Sequence, residues 1–116
     1  MSGERDLARL LATLDPRLSP DRYSFIATTV PTLRAGDFAI VREAEGLTRI
    51  APDPAGEWAR ISLGVHSSLE AVGLTATFAT RLATAGISAN VVAATYHDHI
   101  FVQWDRREEA LAVLRG

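Results

Sequence analysis

Residues 60–70 read RISLGVHSSLE, and this stretch decides the fold. Ile61, Leu63 and Val65 alternate with polar or small residues, which is typical of a strand with one apolar face. Two serines follow directly, and either one is suited to cap a helix N-terminus. The stretch therefore predicts a strand that continues through a polar loop into a helix.

The helix after this loop is expected to run from about Glu70 to Ala85. Small residues form one stripe along it, and larger apolar side chains form a row beside that stripe. The stripe consists of Val72, Ala76, Ala79 and Ala83, and the row consists of Leu74, Phe78 and Leu82. Gly86 follows, where a C′ glycine ends a helix. We therefore expect this helix to lie close against a sheet.

The rest of the second half supplies two more strands and a helix. Residues 87–94 form a nearly continuous apolar run, which predicts a strand covered on both faces. Residues 96–98 are typical of a hairpin turn, and residues 100–104 of its return strand. A last helix has Ala110, Leu111 and Leu114 as its buried face. The order strand, helix, strand, strand, helix predicts a ferredoxin-like α+β fold that lacks its last strand, with helices on one face of an antiparallel sheet.

The first half is expected to supply the missing strand. Residues 4–14 carry leucines at helical spacing, residues 22–30 read as a strand, and residues 38–42 and 47–50 read as a hairpin. A stiff polar connector follows, with Pro52, Asp53, Pro54 and Gly56. We take it as the boundary between a lobe of residues 1–57 and a domain of residues 58–116, which together form one compact unit.

The predicted topology brings two polar loops together. The loop at residues 66–70 and the hairpin at residues 96–99 lie at the same end of the sheet, within roughly 10 Å of each other. The free N–H groups and the dipole of a helix N-terminus favour an anion there. The sequence therefore predicts a site for a small anion such as a carboxylate at this end, near residues 67–72.

The residues of the second half resemble the ACT domain family. The resemblance rests on ISLGVHSSLEAVGLTA at residues 61–76, LATAGISANVVA at residues 82–93 and YHDHIFV at residues 96–102. FAIVREAEGLTRIAP at residues 38–52 resembles the hairpin of a degenerate ACT-like lobe that precedes the ACT domain. The chain is similar to short bacterial ACT-like proteins of uncharacterised function, and to lobes of aspartate kinases and of arginine sensors.

This resemblance implies a non-catalytic regulatory module that binds a small-molecule effector such as an amino acid, without a cofactor. It implies contacts to the effector from the loop after the first ACT strand and from the start of its helix. In this chain those residues are Val65, His66, Ser67, Ser68, Leu69, Val72, Gly73 and Leu74. The hairpin residues His97 and His99 join them through the predicted topology. The covered strand at residues 87–94 needs a partner lobe, so we expect a homodimer.

Composition and charge exclude several classes of function. The formal net charge is −2, so no basic field exists to hold a nucleic acid. The chain has no cysteine, which excludes disulfides and thiolate sites. It shows neither a secretory signal nor an apolar run of membrane-spanning length, and we expect a cytoplasmic protein that does not contact membranes.

Two other hypotheses remain open. The ACT fold of this chain could serve only oligomerisation or protein interaction, without a ligand. The chain could also be an enzyme: His97 and His99 could bind a metal with Asp98 or Glu70, or a serine at 67 or 68 could act as a nucleophile with a histidine base. No Gly-x-Ser-x-Gly motif supports the hydrolase, and serines before a helix usually cap it.

Overall fold

The computed structural model describes residue 12, residues 14–65 and residues 73–116. Its strands are β1 (Pro16–Thr28), β2 (Ala39–Arg42), β3 (Leu47–Pro52), β4 (Trp58–Leu63), β5 (Asn90–Ala93) and β6 (Asp98–Gln103). Its helices are α1 (Leu74–Thr84) and α2 (Arg107–Arg115), and a 3-10 turn at Trp104–Arg106 leads into α2. Neither helix in this part of the chain has the length and apolar character of a membrane-spanning segment.

The strands form one six-stranded sheet in the order β2-β3-β1-β4-β6-β5, in which all neighbours are antiparallel. Since β4 and β5 both run antiparallel to β6, they run parallel to each other, with α1 as their connection. This is the ferredoxin-like order, in which β1 occupies the position of the fourth strand. The prediction that the first half completes the sheet is therefore confirmed.

Both helices pack on the same face of this sheet. Side chains along β4 alternate between the two faces of the sheet, and those of Ala59, Ile61 and Leu63 point toward the helices. These side chains, together with Ile100 and Val102 of β6, form a core with the buried residues of the helices: Leu74, Phe78, Leu82, Ala110, Leu111 and Leu114. The buried face predicted for the last helix is thus confirmed.

The face predicted for α1 is wrong in part. Its buried residues recur every fourth position, at Leu74, Phe78 and Leu82, whereas Ala76 and Ala83 of the small-residue stripe are exposed. The larger side chains remove more apolar area from water, so the helix turns this row to the sheet. The end of the helix follows the prediction, since Gly86 has a φ of 76° and Ile87 N–H donates to the carbonyl of Leu82.

β1 begins earlier than predicted. The chain was expected to enter it at residue 22, but the strand starts at Pro16 and contains an irregularity between Leu18 and Arg22. Pro16 and Pro20 weaken the strand pattern of this segment. They occupy the first residue of the strand and the bulge, where the N–H that proline lacks is not needed for the ladder.

The second hairpin also differs from the prediction. The turn lies at Thr95–Tyr96, where Ala94 N–H donates to the carbonyl of His97, and β6 already begins at Asp98. Asp98 is therefore a buried strand residue and not part of the turn. β5 is an edge strand with both end residues exposed, and Val91 and Val92 pack against opposite faces. The first hairpin has its predicted turn, because Glu43 and Gly46 exchange backbone hydrogen bonds.

The connector between the two halves packs against β1. Asp53 N–H donates to the carbonyl of Arg22, and Ser24 Oγ donates to Asp53 Oδ2 at 2.8 Å. Gly56 is buried, and its carbonyl accepts from Arg22 Nε at 2.7 Å. Because β1 pairs with β3 on one side and with β4 on the other, one sheet spans both the predicted lobe and the predicted domain.

Candidate functional site

The end of β4 and the second hairpin meet at one edge of the molecule. His97 Nδ1 lies 3.4 Å from the carbonyl oxygen of Val65, the first residue after Gly64 at the end of this strand. This contact brings the hairpin to the residue that precedes the predicted loop. Residues 66–72 lie outside the described residues, so the roles expected of His66, Ser67, Ser68, Leu69 and Val72 remain predictions.

The start of α1 differs from the predicted one. The helix begins at Leu74 and its N-cap is Gly73, which has a φ of 94° and makes no side-chain cap hydrogen bond. The prediction that a serine at 67 or 68 caps this helix is therefore wrong, as is a helix start at Glu70. The left-handed backbone at Gly73 suits glycine, because other residues are strained there.

Within the part of the chain that the structure describes, no side chain caps the first turn of α1, and this turn also contributes to the core. Thr77 N–H and Thr77 Oγ1 both donate to the carbonyl of Gly73, at 2.9 and 2.6 Å. Leu74 is 2% exposed and packs among the core side chains, so a ligand at this end could meet its backbone N–H but not its side chain. Of the predicted site residues, Val65, Gly73 and His97 lie at the surface of this end.

His99 faces the other side of the sheet, away from the helices. It pairs with Ser62 across β4 and β6, and both residues alternate with core residues that point to the helices. The side chain of Phe38, just before β2, lies 4.9 Å from the His99 ring. Four strand spacings separate β2 from β6, about 19 Å in a flat sheet. The sheet therefore curls, and His99 lies on its concave face.

Aromatic side chains line this concave face. Phe101 lies 5.5 Å from Tyr23 and 5.3 Å from both Phe25 and Phe38, always edge to face. Such pairs contribute about 0.5–1.5 kcal/mol each beyond the area they bury. The rings thus form a second small core and hold the polar groups beside them in fixed positions.

A chain of hydrogen bonds crosses the concave face. Arg60 Nε donates to the hydroxyl oxygen of Tyr23 at 3.1 Å, and Arg60 Nη1 donates to Ser62 Oγ at 2.6 Å. Ser62 Oγ lies 2.7 Å from His99 Nδ1. We call Tyr23, Arg60, Ser62 and His99 the concave-face polar group. It combines a permanent cation, two hydroxyl groups and an imidazole, which are joined by hydrogen bonds.

The imidazole of this group is held toward its neutral form. Burial lowers the pKa of His99 first, and the positive charges of Arg60 and His97 lower it further, whereas Asp98 acts in the opposite direction. Ser62 Oγ accepts from Arg60 Nη1, and in the neutral tautomer whose Nδ1 carries no hydrogen, His99 accepts a hydrogen bond from the Ser62 hydroxyl. In that tautomer the hydrogen bonds run in one direction, from Arg60 through Ser62 to His99.

Sequence reasoning named His99 but missed its three partners. The alternation of β4 indicated that Arg60 and Ser62 share its polar face. The contribution of Tyr23 depends on the register of β1, and that of Phe38 on the curl of the sheet. Among the described residues, no group of three histidines or carboxylates could hold a metal ion.

The comparisons with known proteins agree with this architecture. Two family models described as ACT domain match the chain, one over residues 2–64 and the other over residues 56–116. No curated protein is similar enough to count as a match.

Three solved structures are similar to the chain. A Vibrio cholerae protein of unknown function, described as a possible transport protein, is 43% identical, with a TM-score of 0.79 over 98% of this chain and 96% of the other. An Agrobacterium tumefaciens protein is 18% identical, with a TM-score of 0.58 over 79% and 78%. The ligand-free regulatory subunit of aspartate kinase from Thermus thermophilus is 10% identical, with a TM-score of 0.66 over 89% and 95%.

Proposed function

Because this chain belongs to the ACT domain family, we propose that it is a non-catalytic regulatory module that binds a small effector, an amino acid or a similar zwitterion. ACT domains are generally regulatory modules of this kind. A cytoplasmic location and the absence of a cofactor form part of the same proposal.

The observation that carries this proposal is the contact between His97 Nδ1 and the carbonyl of Val65. It brings the hairpin to the point where the chain leaves β4 for the predicted effector loop. The main-chain N–H groups of the first turn of α1, after Gly73, would receive the carboxylate of the effector. The hairpin would supply acceptors for its ammonium group.

A thermal-shift screen of the amino acids tests the proposal. An effector that binds only the folded chain raises its free energy of unfolding by about 2.7 kcal/mol at a hundredfold excess over Kd. A substitution of both Ser67 and Ser68 by proline is expected to abolish the shift. Thr80→Val is the matched control, because Thr80 is exposed on α1 and away from its N-terminus. A flat screen would contradict the proposal.

A second candidate is a module that only mediates association between copies of the chain. It is favoured by the large apolar side chains that the first half exposes, among them Val30 (40%), Leu33 (57%) and Val41 (43%). Val41 belongs to β2, an edge strand whose open side can pair with another strand. Sedimentation at micromolar concentration tests the proposed homodimer, and a clean monomer would exclude it.

A further inference from the structure

The concave-face polar group contains a half-buried cation without a carboxylate partner. No carboxylate among the described residues lies within ion-pair distance of Arg60, although other arginines of the same part of the chain are paired, such as Arg106 with Glu109 at 2.8 Å. We propose that this group binds a small oxyanion, a carboxylate or a phosphate, through Arg60. This site lies on the sheet face opposite the helices and does not depend on the effector loop proposed above.

The guanidinium of Arg60 is fixed before any ligand arrives. Its central carbon lies 5.4 Å from the ring centre of Tyr23 and 5.1 Å from that of Phe38. Two of its nitrogens donate to Tyr23 and Ser62. A side chain held in this way loses little conformational freedom when a ligand binds, which favours affinity.

Arg60 keeps donors for such a ligand. Nη2 donates to no group of the described residues, and the same part of the chain contains no buried side-chain nitrogen or oxygen without a partner. Since Arg60 is only half-buried, Nη2 must therefore reach solvent. An oxyanion can meet a charged donor there without displacing an existing hydrogen bond. Such charge-assisted hydrogen bonds are stronger than neutral ones.

The electrostatics of the concave face also favour an anion. Ser62 links His99 to Arg60 by hydrogen bonds. The positive charges of Arg60 and of His97 both act on the His99 imidazole. The buried Asp98 opposes them at His99 but does not pair with Arg60. A bound anion would compensate the Arg60 charge in a site that rings partly shield from water.

Protonation of His99 would add a donor to the same site. In the neutral tautomer whose Nδ1 carries no hydrogen, the Ser62 hydroxyl donates to His99 Nδ1. When the ring takes a proton, Nδ1–H donates to Ser62 instead. The Ser62 hydroxyl group keeps its hydrogen and can then donate it to the anion. Binding of an oxyanion and uptake of a proton by His99 are therefore coupled, and affinity rises as pH falls.

A cavity lined by two arginines offers less to an oxyanion than the concave face does. A cavity of about 560 Å³ is lined by Arg22, Glu57, Gln103, Trp104, Asp105 and Arg106, as far as the described residues show. Arg106 is paired with Glu109, and two carboxylates of the cavity wall repel an anion. We therefore place the proposed oxyanion site on the concave face and not in this cavity.

NMR titration of the full chain tests this site, with acetate, benzoate and inorganic phosphate as probes at constant ionic strength. We expect saturable shifts of the His99 imidazole signals, and a rise in the His99 pKa when the probe is bound. Arg60→Gln is expected to weaken binding about tenfold or more, which corresponds to about 1.4 kcal/mol. Arg60→Lys keeps the charge and replaces Arg60→Gln as the test variant if that protein does not fold. It is expected to bind the probe more weakly than the wild type, because lysine lacks the planar fork of donors of a guanidinium.

Arg42→Gln is the matched control, since Arg42 is exposed on β2 and the change in charge is the same. Its affinity is expected to stay within about twofold of wild type, because exposed charges contribute little. Whichever of the carboxylate and phosphate probes responds identifies the ligand chemistry. The proposal is overturned if no probe shifts His99 saturably, if the Arg60 variants bind like wild type, or if Arg42→Gln loses as much affinity. An amino acid whose binding survives Arg60→Gln belongs to the effector loop instead.

Discussion

Replacement of Gly56 by alanine tests how the connector is seated on β1. A Cβ added at Gly56 would lie 2.6 Å from the carbonyl carbon of Tyr23 and 2.8 Å from its nitrogen, with the carbonyl oxygen closer still. A Cβ essentially never comes within 3.0 Å of a heavy atom outside its own residue and its two chain neighbours. The obstructing atoms are backbone in the central strand, so they cannot rotate away.

Two effects of this substitution oppose each other. Alanine restricts the unfolded chain, which stabilises a protein by about 0.4–1 kcal/mol where the backbone allows it. Overpacking of a tight contact costs about 1–3 kcal/mol. Because Gly56 is buried against an immobile backbone, we expect the cost to exceed the gain by about 1–2 kcal/mol. For a chain of this length that is a fall in Tm of roughly 4–8 °C.

Gly64→Ala provides the comparison. Its Cβ would meet the side chain of Asp15, which is 55% exposed and can move toward solvent. Differential scanning calorimetry of both variants is expected to show the larger fall in Tm for Gly56→Ala. If that variant melts at or above the wild-type temperature, or if Gly64→Ala falls as far, the close packing of the connector against Tyr23 is refuted.

Three further predictions concern the helix start, the core and the pH dependence. Gly73→Val is expected to lower Tm more than Thr80→Val does, because a β-branched residue is strained at the φ of 94° whereas Thr80 is exposed; equal melting temperatures would contradict the helix start. Phe78→Ala, at a fully buried position, is expected to cost about 3–5 kcal/mol in urea denaturation, and Phe25→Ala, at 40% exposure, clearly less. Burial lowers the pKa of His99 in the folded chain below its ordinary 6.5, so the unfolded chain binds more protons just below that pH. Stability is therefore lost as pH falls through 6.5 toward the lower folded pKa, and His99→Gln is expected to lose less over that interval; an identical pH profile would exclude this linkage.

The sequence predicted the order of elements because strong local patterns carry it. The alternation of Ile61 and Leu63 with polar residues indicates β4. Leu74, Phe78 and Leu82 follow one another at intervals of four residues, which indicates one face of the helix α1. The start of α1 was misplaced because serines before a helix are good caps, whereas the backbone makes its turn at Gly73. The start of β1 was missed because Pro16 and Pro20 argue against a strand unless a bulge is known.

The concave-face polar group could be predicted only in part. Arg60 and Ser62 share a face by simple alternation, and His99 joins them once the register of β4 and β6 is known. Phe38 is distant in strand order and reaches His99 only through the curl of the sheet. A single sequence carries no local signal for that curvature, since it results from the summed twist of six strands.

The position of β1 determines how the chain can be cut. This strand comes from the first half but forms hydrogen bonds to β3 on one side and to β4 on the other. A cut in the connector would leave residues 58–116 with β4 as a bare edge, and the complementary piece would carry the strand that fits it. The two pieces are therefore suited to reassemble on mixing, whereas each alone exposes an edge open to aggregation. In the intact chain, the hydrogen bonds between β1 and β4 join segments that are far apart in the sequence. Because such non-local pairing slows folding, we expect this chain to fold more slowly than a helical chain of equal length.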